Sequence, residues 1–303
     1  RTGITMSHWE SLVAAPPLSC YPARMLLSWN EIRHRTGGAS AIPMPCQPTF
    51  LRQRLRRRVC ASWTLTGFLL SFVPAVIADQ YGDFWYTTNG NTVTITNYSG
   101  SGGAVTIPDK INALSVTSIG SCALQCRSFL ASVTIPDSVT NIGGGAFQSC
   151  SGLTNVTIGN GVISIGPAAF QSCSGLTNIT IPSGVTSLGN SAFSRCTRLT
   201  SVTIPEGVVT IGDSAFAYCT GLTNIIIGKN VTSIGPATFQ ACTSLPAITV
   251  DALNAVYSTL AGVLFRQSQT TLSAYPPGKP GPTYTIPNGV TNIGNSAFCG
   301  CTN

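Results

Sequence analysis

The chain has 303 residues and a formal net charge of +7, with only 8% of its residues charged. Nine of its 16 basic residues precede residue 59, and from Asp79 onward seven basic residues meet seven acidic ones. The larger part of the chain is therefore neutral and carries no basic stripe for phosphates, which excludes a nucleic-acid partner. Both histidines, His8 and His34, also lie early. Downstream of them a serine or cysteine triad cannot be assembled.

In chain order, residues 1–43 are rich in Arg, Trp, His, Pro and Met without periodicity, and read as an upstream or non-native extension. Residues 44–78 read as a signal peptide, with an arginine-rich run from Leu51 to Arg58, an apolar stretch from Ala61 to Ile77, and a small-residue cleavage site at Val76-Ile77-Ala78. An uncleaved anchor is the alternative, since the apolar stretch is close to the lower length limit for a span. The remainder is expected to be exported, with membrane contact only through this segment. Residues 79–103 predict an N-terminal cap hairpin around Asn89-Gly90, its aromatics Phe84, Trp85 and Tyr86 shielding the first coil.

From residue 104 to 303 the chain repeats. Phe147, Phe170, Phe193, Phe216 and Phe239 recur at one constant interval, each followed three positions later by a cysteine, Cys150, Cys173, Cys196, Cys219 and Cys242. Such a period means a stack of similar coils, none able to bury its apolar side chains alone. In the unit from Leu176 to Arg198, Leu176, Ile179 and Ile181 give a first strand that Pro182 ends. Ser183-Gly184 then turns into a second strand, Val185 to Leu188, which Gly189 ends, and Ala192-Phe193 begins a tight helical turn. Stacking should place phenylalanines and cysteines in internal columns, the cysteines as buried free thiols, because parallel side chains in register seldom point at one another. Two irregularities interrupt the register. The first coil has five extra residues between Ile107 and Ile119, and the interval from Phe239 to Phe298 is not a multiple of the period, with an insert at 251–287. That insert predicts two short strands around a polar turn and an exposed Phe265, Tyr275 and Lys279. The stop at Asn303 inside a repeat predicts a chain truncated at its C-terminus.

The unit from Leu199 to Cys219, Leu-Thr-Ser-Val-Thr-Ile-Pro-Glu-Gly-Val-Val-Thr-Ile-Gly-Asp-Ser-Ala-Phe-Ala-Tyr-Cys, resembles the BspA-like, or treponemal, bacterial leucine-rich repeats. The resemblance covers about residues 104 to 303 and departs from the pattern at Cys126, one position early with Arg127 in its column, and at Ile226 in a threonine column. It implies a leucine-rich repeat solenoid of about 23 residues per coil, inside the length range of such repeats, with short parallel strands. It also implies a secreted or cell-surface protein, several members being adhesins. No catalytic residue belongs to the family motif, so none is carried over.

The candidate ligand-binding residues are the outward positions of the first strand, Asn155, Thr157, Asn178, Thr180, Ser201, Thr203 and Asn224, with Ser132, Thr134 and Ile226 completing the two columns. A flat face of small hydrogen-bonding groups suits a protein or glycan partner; threonine is also simply at home in strands. Catalysis is not expected. Asp137 and Glu206 are three coils apart, about 14 Å at strand spacing, beyond the roughly 5 to 9.5 Å used in glycoside hydrolysis. Asp109 and Asp137 each follow a strand-ending proline, where aspartate is an ordinary turn former. No cofactor is expected, and no metal either, since the close cysteine pairs Cys122/Cys126 and Cys299/Cys301 lie at opposite ends of the array. The expected function is adhesion or recognition at a cell surface. The alternatives are a non-binding structural spacer, or a targeting module of an enzyme whose catalytic domain lies beyond Asn303.

Overall fold

A computed structural model describes residues 78–301. The expected extension and nearly all of the expected signal peptide lie outside the described residues. What is described is a β-solenoid of about nine turns. Each coil contributes to two strand columns and to a column of turns.

The long sheet runs along the second-strand positions. It starts with Asp79–Tyr81, Phe84–Asn89 and Thr92–Tyr98, which are antiparallel. Leu114–Ile119 then adds in parallel, followed by Asn141–Ile142, Ser164–Ile165, Ser187–Leu188, Thr210–Ile211 and Ser233–Ile234, one short strand per coil. From Asn141 onward these strands have two residues each, shorter than the stretch read from Val185 to Leu188. The first-strand positions form two separate three-stranded sheets. One contains Gly103–Thr106, Leu130–Ile135 and Asn155–Ile158, the other Ser201–Thr203, Asn224–Ile227 and Thr249–Val250. Between them the coil from Leu176 to Ile181 has no strand, only the parallel bridge Asn178 to Ser201. Its side chains still alternate, Ile179 and Ile181 inward and Asn178 and Thr180 outward.

The expected helical turn is not formed, and there is no helix among the described residues. The reason is a pair of left-handed residues flanking each phenylalanine. In one coil these are Ser191 (φ 57°) and Arg195 (φ 62°), and equivalent pairs recur at Ala168 and Ser172, and at Ser214 and Tyr218. A left-handed residue cannot continue a right-handed helix. It turns the peptide groups along the stack, so their bonds run between coils. Ser191 N–H donates to Asp213 O, Phe193 N–H to Ala215 O, and Arg195 N–H to Ala217 O, each at 2.8 Å. The strand-ending glycine has a related task. A Cβ on Gly189 would lie 2.4 Å from Gly166 C and Pro167 N, so only glycine permits this coil-to-coil approach.

The core follows the sequence pattern. Phe147, Phe170, Phe193 and Phe216 are fully buried, and successive ring centroids lie 5.1, 5.4 and 5.4 Å apart with nearly parallel planes; Phe239 continues the column at 6.3 Å. The five cysteines are buried free thiols. Four of the S–H groups turn to the carbonyl of the phenylalanine one coil earlier: Cys173 to Phe147 O (3.1 Å), Cys196 to Phe170 O (3.2 Å), Cys219 to Phe193 O (3.1 Å) and Cys242 to Phe216 O (3.1 Å). Burial pushes Cys150 and Cys242 up to about 12, and holds Cys173, Cys196 and Cys219 well above the ordinary 9.0. These thiols stay protonated in the fold while they ionise in the unfolded chain above pH 9. Their contribution is therefore complete below pH 9 and is lost as the pH rises toward 12, at up to about 1.4 kcal/mol per pH unit per thiol. The urea midpoint is expected to fall steeply between pH 9 and pH 11, and the slope should flatten as column cysteines are replaced by alanine.

Both irregularities resolve into hairpins. The five extra residues of the first coil become Lys110–Ile111 paired antiparallel with Leu114–Ile119 around left-handed Asn112 and Ala113. Arg127, in the cysteine column, donates through its guanidinium to Tyr98 O and, at 3.2 Å, to Asn97 Oδ1, tying the N-terminal hairpin to this coil. In that hairpin Tyr86 is buried and Phe84 half-buried, but Trp85 is exposed and does not shield the coil, because successive strand residues face opposite sides.

The insert contains the two expected strands, Val263–Arg266 and Thr271–Ala274, and a third, Tyr257–Leu260, pairing with the first of them around Ala261-Gly262. Phe265 is not exposed. It is fully buried in a second small core with Val263, Leu272 and Ala297. Tyr275 is half-buried against Tyr284 (4.9 Å) and Phe298 (5.2 Å), and Lys279 donates to Ala261 O at 2.6 Å. Tyr275 precedes Phe298 by one full repeat period. Its N–H donates to Ala297 O (2.7 Å), as Phe193 N–H does to Ala215 O. The insert therefore includes a full coil with tyrosine in the phenylalanine position.

Candidate functional site, the outer strand face

The seven candidate residues fall on one outward face. Asn155, Thr157, Thr180, Thr203 and Asn224 are exposed, and Asn178 and Ser201 lie beside them in the same columns, Ser201 half-buried. The pairing is in register, Ser132 with Asn155, Thr134 with Thr157, Asn178 with Ser201, and Ser201 with Asn224. Ile226 stands half-buried between Thr203 and Thr249 and interrupts the threonine column. The two halves of the face belong to different sheets, and the coil between them is bridged to the second at Asn178–Ser201.

Hydrogen bonding divides this face in a way the sequence does not. Thr154, Thr200 and Thr223 also recur every coil or two, but their hydroxyls donate to the preceding coil, to Ala131 O (3.0 Å), Thr177 O (3.2 Å) and Thr200 O (3.1 Å). Thr140, Thr186 and Thr232 do the same beside the second strand. Those threonines are structural. By contrast, the hydroxyls of Thr134, Thr157, Thr180 and Thr203 and the amide of Asn155 have no hydrogen-bond partner among the described residues. Thr154 and Thr200, each directly after an inward leucine, lie beside a carbonyl of the coil before, but Thr177 after Leu176 makes no such bond among the described residues, so that position does not by itself separate the two sets.

Charge on and around the face is sparse. Glu206 pairs with Lys229 at 2.5 Å, an exposed ion pair of small energetic value. Asp137 Oδ1 accepts from Asn160 N–H at 2.7 Å, the task of a turn former. No group of three or more His, Cys, Asp or Glu residues able to hold a metal ion occurs among the described residues.

The family model of the BspA type leucine rich repeat region matches residues 106–250 and 282–303 in six copies. A leucine rich cell surface protein of Faecalibacterium prausnitzii A2-165 has a similar structure, with 34% identity and a TM-score of 0.60, covering 75% of this chain and 69% of its own. A leucine-rich repeat protein of Bacteroides ovatus is 26% identical with a TM-score of 0.56, covering 74% and 63%. The pneumococcal vaccine antigen PcpA, at 24% identity, shares the fold, with a TM-score of 0.63 over 74% of this chain and 62% of its own. No curated protein matches the chain. The six repeat matches, the 34% identity and the common solenoid together show that this chain belongs to the BspA-type leucine-rich repeat family.

Proposed function

We propose that the chain is an exported surface protein that binds a protein or glycan partner through the repetitive face from Ser132 to Asn224, and that it is not an enzyme. The observation that carries this reading is the column Thr134, Thr157, Thr180 and Thr203, all exposed, three of them in strands and Thr180 at the matching position of the strandless coil, with hydroxyls that serve nothing inside the fold. A repeated, uncharged row of donors and acceptors suits a partner that is itself extended or repetitive, because weak contacts multiply along the stack. The apolar stretch before Asp79 and the cell-surface description of the Faecalibacterium protein support export. Asp137 and Glu206 are occupied by a turn and an ion pair, which supports a non-catalytic role. The hairpin of Phe84–Asn89 and Thr92–Tyr98 pairs with Leu114–Ile119 of the first coil, which supports reading 79–103 as a cap and the chain from 104 as the repeat region.

The test is to screen the whole chain against glycans and extracellular-matrix and cell-wall components, beside the triple variant T157K/T180K/T203K. The three substitutions are at exposed outward positions and should each move stability by less than about 0.5 kcal/mol. Binding that disappears in the variant supports the face. A partner bound equally by both proteins rules out this face as the binding surface, and no partner at all returns the chain to the spacer role.

A further inference from the structure

The turn column is polar along its length. In every regular coil three N–H groups, at the phenylalanine and two positions either side of it, donate to carbonyls of the next coil. The series begins with Cys122, Leu124 and Cys126 and continues through Ser214, Phe216 and Tyr218, always in the same direction. Where the insert leaves the stack this series stops. Ala237 and Phe239 N–H, which should donate to the following coil, find no acceptor among the described residues, while Ala241 is covered by Gly300, whose added Cβ would meet Ala241 N at 2.4 Å. The neighbouring strand column is closed at the same point, because Tyr257 OH accepts from Ile234 N–H at 3.0 Å. The turn edge is left open.

That edge faces a cleft of about 410 Å³ between the Phe239 coil and the Tyr275 and Phe298 coils. Its walls hold one charged side chain, Arg266, whose guanidinium lies 4.8 Å over the Tyr257 ring and makes no ion pair among the described residues. No carboxylate lines it. The other polar walls are neutral hydroxyls and amides, Gln240, Thr271, Ser273, Asn292, Asn295 and Ser296. Two backbone donors without acceptors among the described residues, at the positive end of aligned peptide dipoles, lie on the wall of a cleft whose one charged side chain is a guanidinium, which suits an anion. The volume is that of a small-ligand site.

We infer that this cleft binds an acidic sugar, its carboxylate held by Ala237 N–H, Phe239 N–H and Arg266, and its hydroxyls by the amide and hydroxyl walls. Neutral hydrogen-bonding walls favour a sugar over the acidic side chain of a peptide. The site stands apart from the strand face and does not depend on it.

The experiment is a titration of the whole chain, labelled with ¹⁵N-phenylalanine, with glucuronate, glucose and N-acetylaspartate, following the Phe239 amide. Phe147 and Phe193 are internal controls, since their N–H groups are already bonded to Ala169 and Ala215, away from the cleft. Glucuronate should move the Phe239 signal and leave the controls in place, and glucose should not. R266Q should weaken the interaction about tenfold or more, equivalent to about 1.4 kcal/mol, and N295W, on the cleft wall, should abolish it. The proposal is overturned by an unmoved Phe239 amide up to the solubility limit, by equal response to glucose, or by R266Q binding as well as the parent. Binding of N-acetylaspartate as tight as that of glucuronate would overturn the choice of a sugar.

Discussion

Replacing Phe193 with alanine is expected to cost about 3–5 kcal/mol, the range for buried aromatic truncations. Phe193 is fully buried between Phe170 and Phe216, with centroids 5.4 Å away on both sides and planes within 5°. Collapse into the space it leaves is opposed on each side. The inter-coil bonds of Ser191, Phe193 and Arg195 fix the coil spacing, and Gly189 already lies at the limit of approach to Gly166 and Pro167. The cavity therefore stays open and its lining loses contacts outright. Phe239→Ala should cost clearly less, since that ring has one stacked neighbour, at 6.3 Å, and borders the cleft. Guanidinium unfolding of the two variants followed by circular dichroism checks this order. A loss below about 1 kcal/mol for Phe193→Ala would mean that the column does not carry the core.

The second large effect is expected at Asn254, a buried polar residue that uses every hydrogen-bonding group of its amide. Its Nδ2 donates to Gly228 O (2.9 Å) and Val231 O (3.1 Å), and its Oδ1 accepts from Val256 N–H (2.9 Å) and Tyr257 N–H (2.8 Å). It fastens the start of the insert to the turn of the preceding coil. Asn254→Leu leaves Val231 O and two N–H groups without partners, and Gly228 O with only the long bond from Val231 N–H (3.4 Å), each lost partner costing about 1–3 kcal/mol if the group stays dry. The insert should therefore open locally, with a net loss of about 4 kcal/mol, before the rest of the stack responds. Asn254→Asp keeps the acceptor but turns a carboxylate toward two carbonyls, so it should not rescue. Limited proteolysis gives the local readout, with cleavage expected between residues 251 and 262 in both variants and not in the parent. Resistance equal to that of the parent would show that other contacts hold the insert.

Much of the fold was legible because the repeat repeats its chemistry. Phenylalanine and cysteine columns, inward Leu-Ile-Ile triplets and strand-ending prolines each have one physical use, and their constant interval sets the register. The helical turn was misread because Ala-Phe followed by polar residues fits a helical turn equally well. What excludes it is the left-handed backbone at Ser191 and Arg195, residue types that do not announce that conformation as glycine would. Phe265 was misassigned because a strand beside a polar turn fits either facing, and only its partners Val263, Leu272 and Ala297 decide. Tyr275 hid as a coil position because, although Ser273-Ala274 precede it as in other coils, tyrosine replaces the phenylalanine and Gly278 stands where the cysteine would be. Asn254 left no periodic trace, since it occurs once, where the period breaks.

On the candidate face, the exposure of Asn155, Thr157 and their column mates was readable from alternation. The difference between Thr157 and Thr154 was not. Both are threonines one or two residues from an inward side chain, and only the reach of Thr154 to Ala131 O shows that one is spent inside the fold and the other is not.

The most direct test of a repetitive binding face is a series along its column, with affinity for an identified partner measured for T180K, then T157K/T180K, then T157K/T180K/T203K. The expected result is a stepwise loss, each substitution weakening binding by a similar factor while the unfolding midpoint stays in place. An affinity that survives all three substitutions would contradict it, as would a complete loss at T180K with no further effect from the other two.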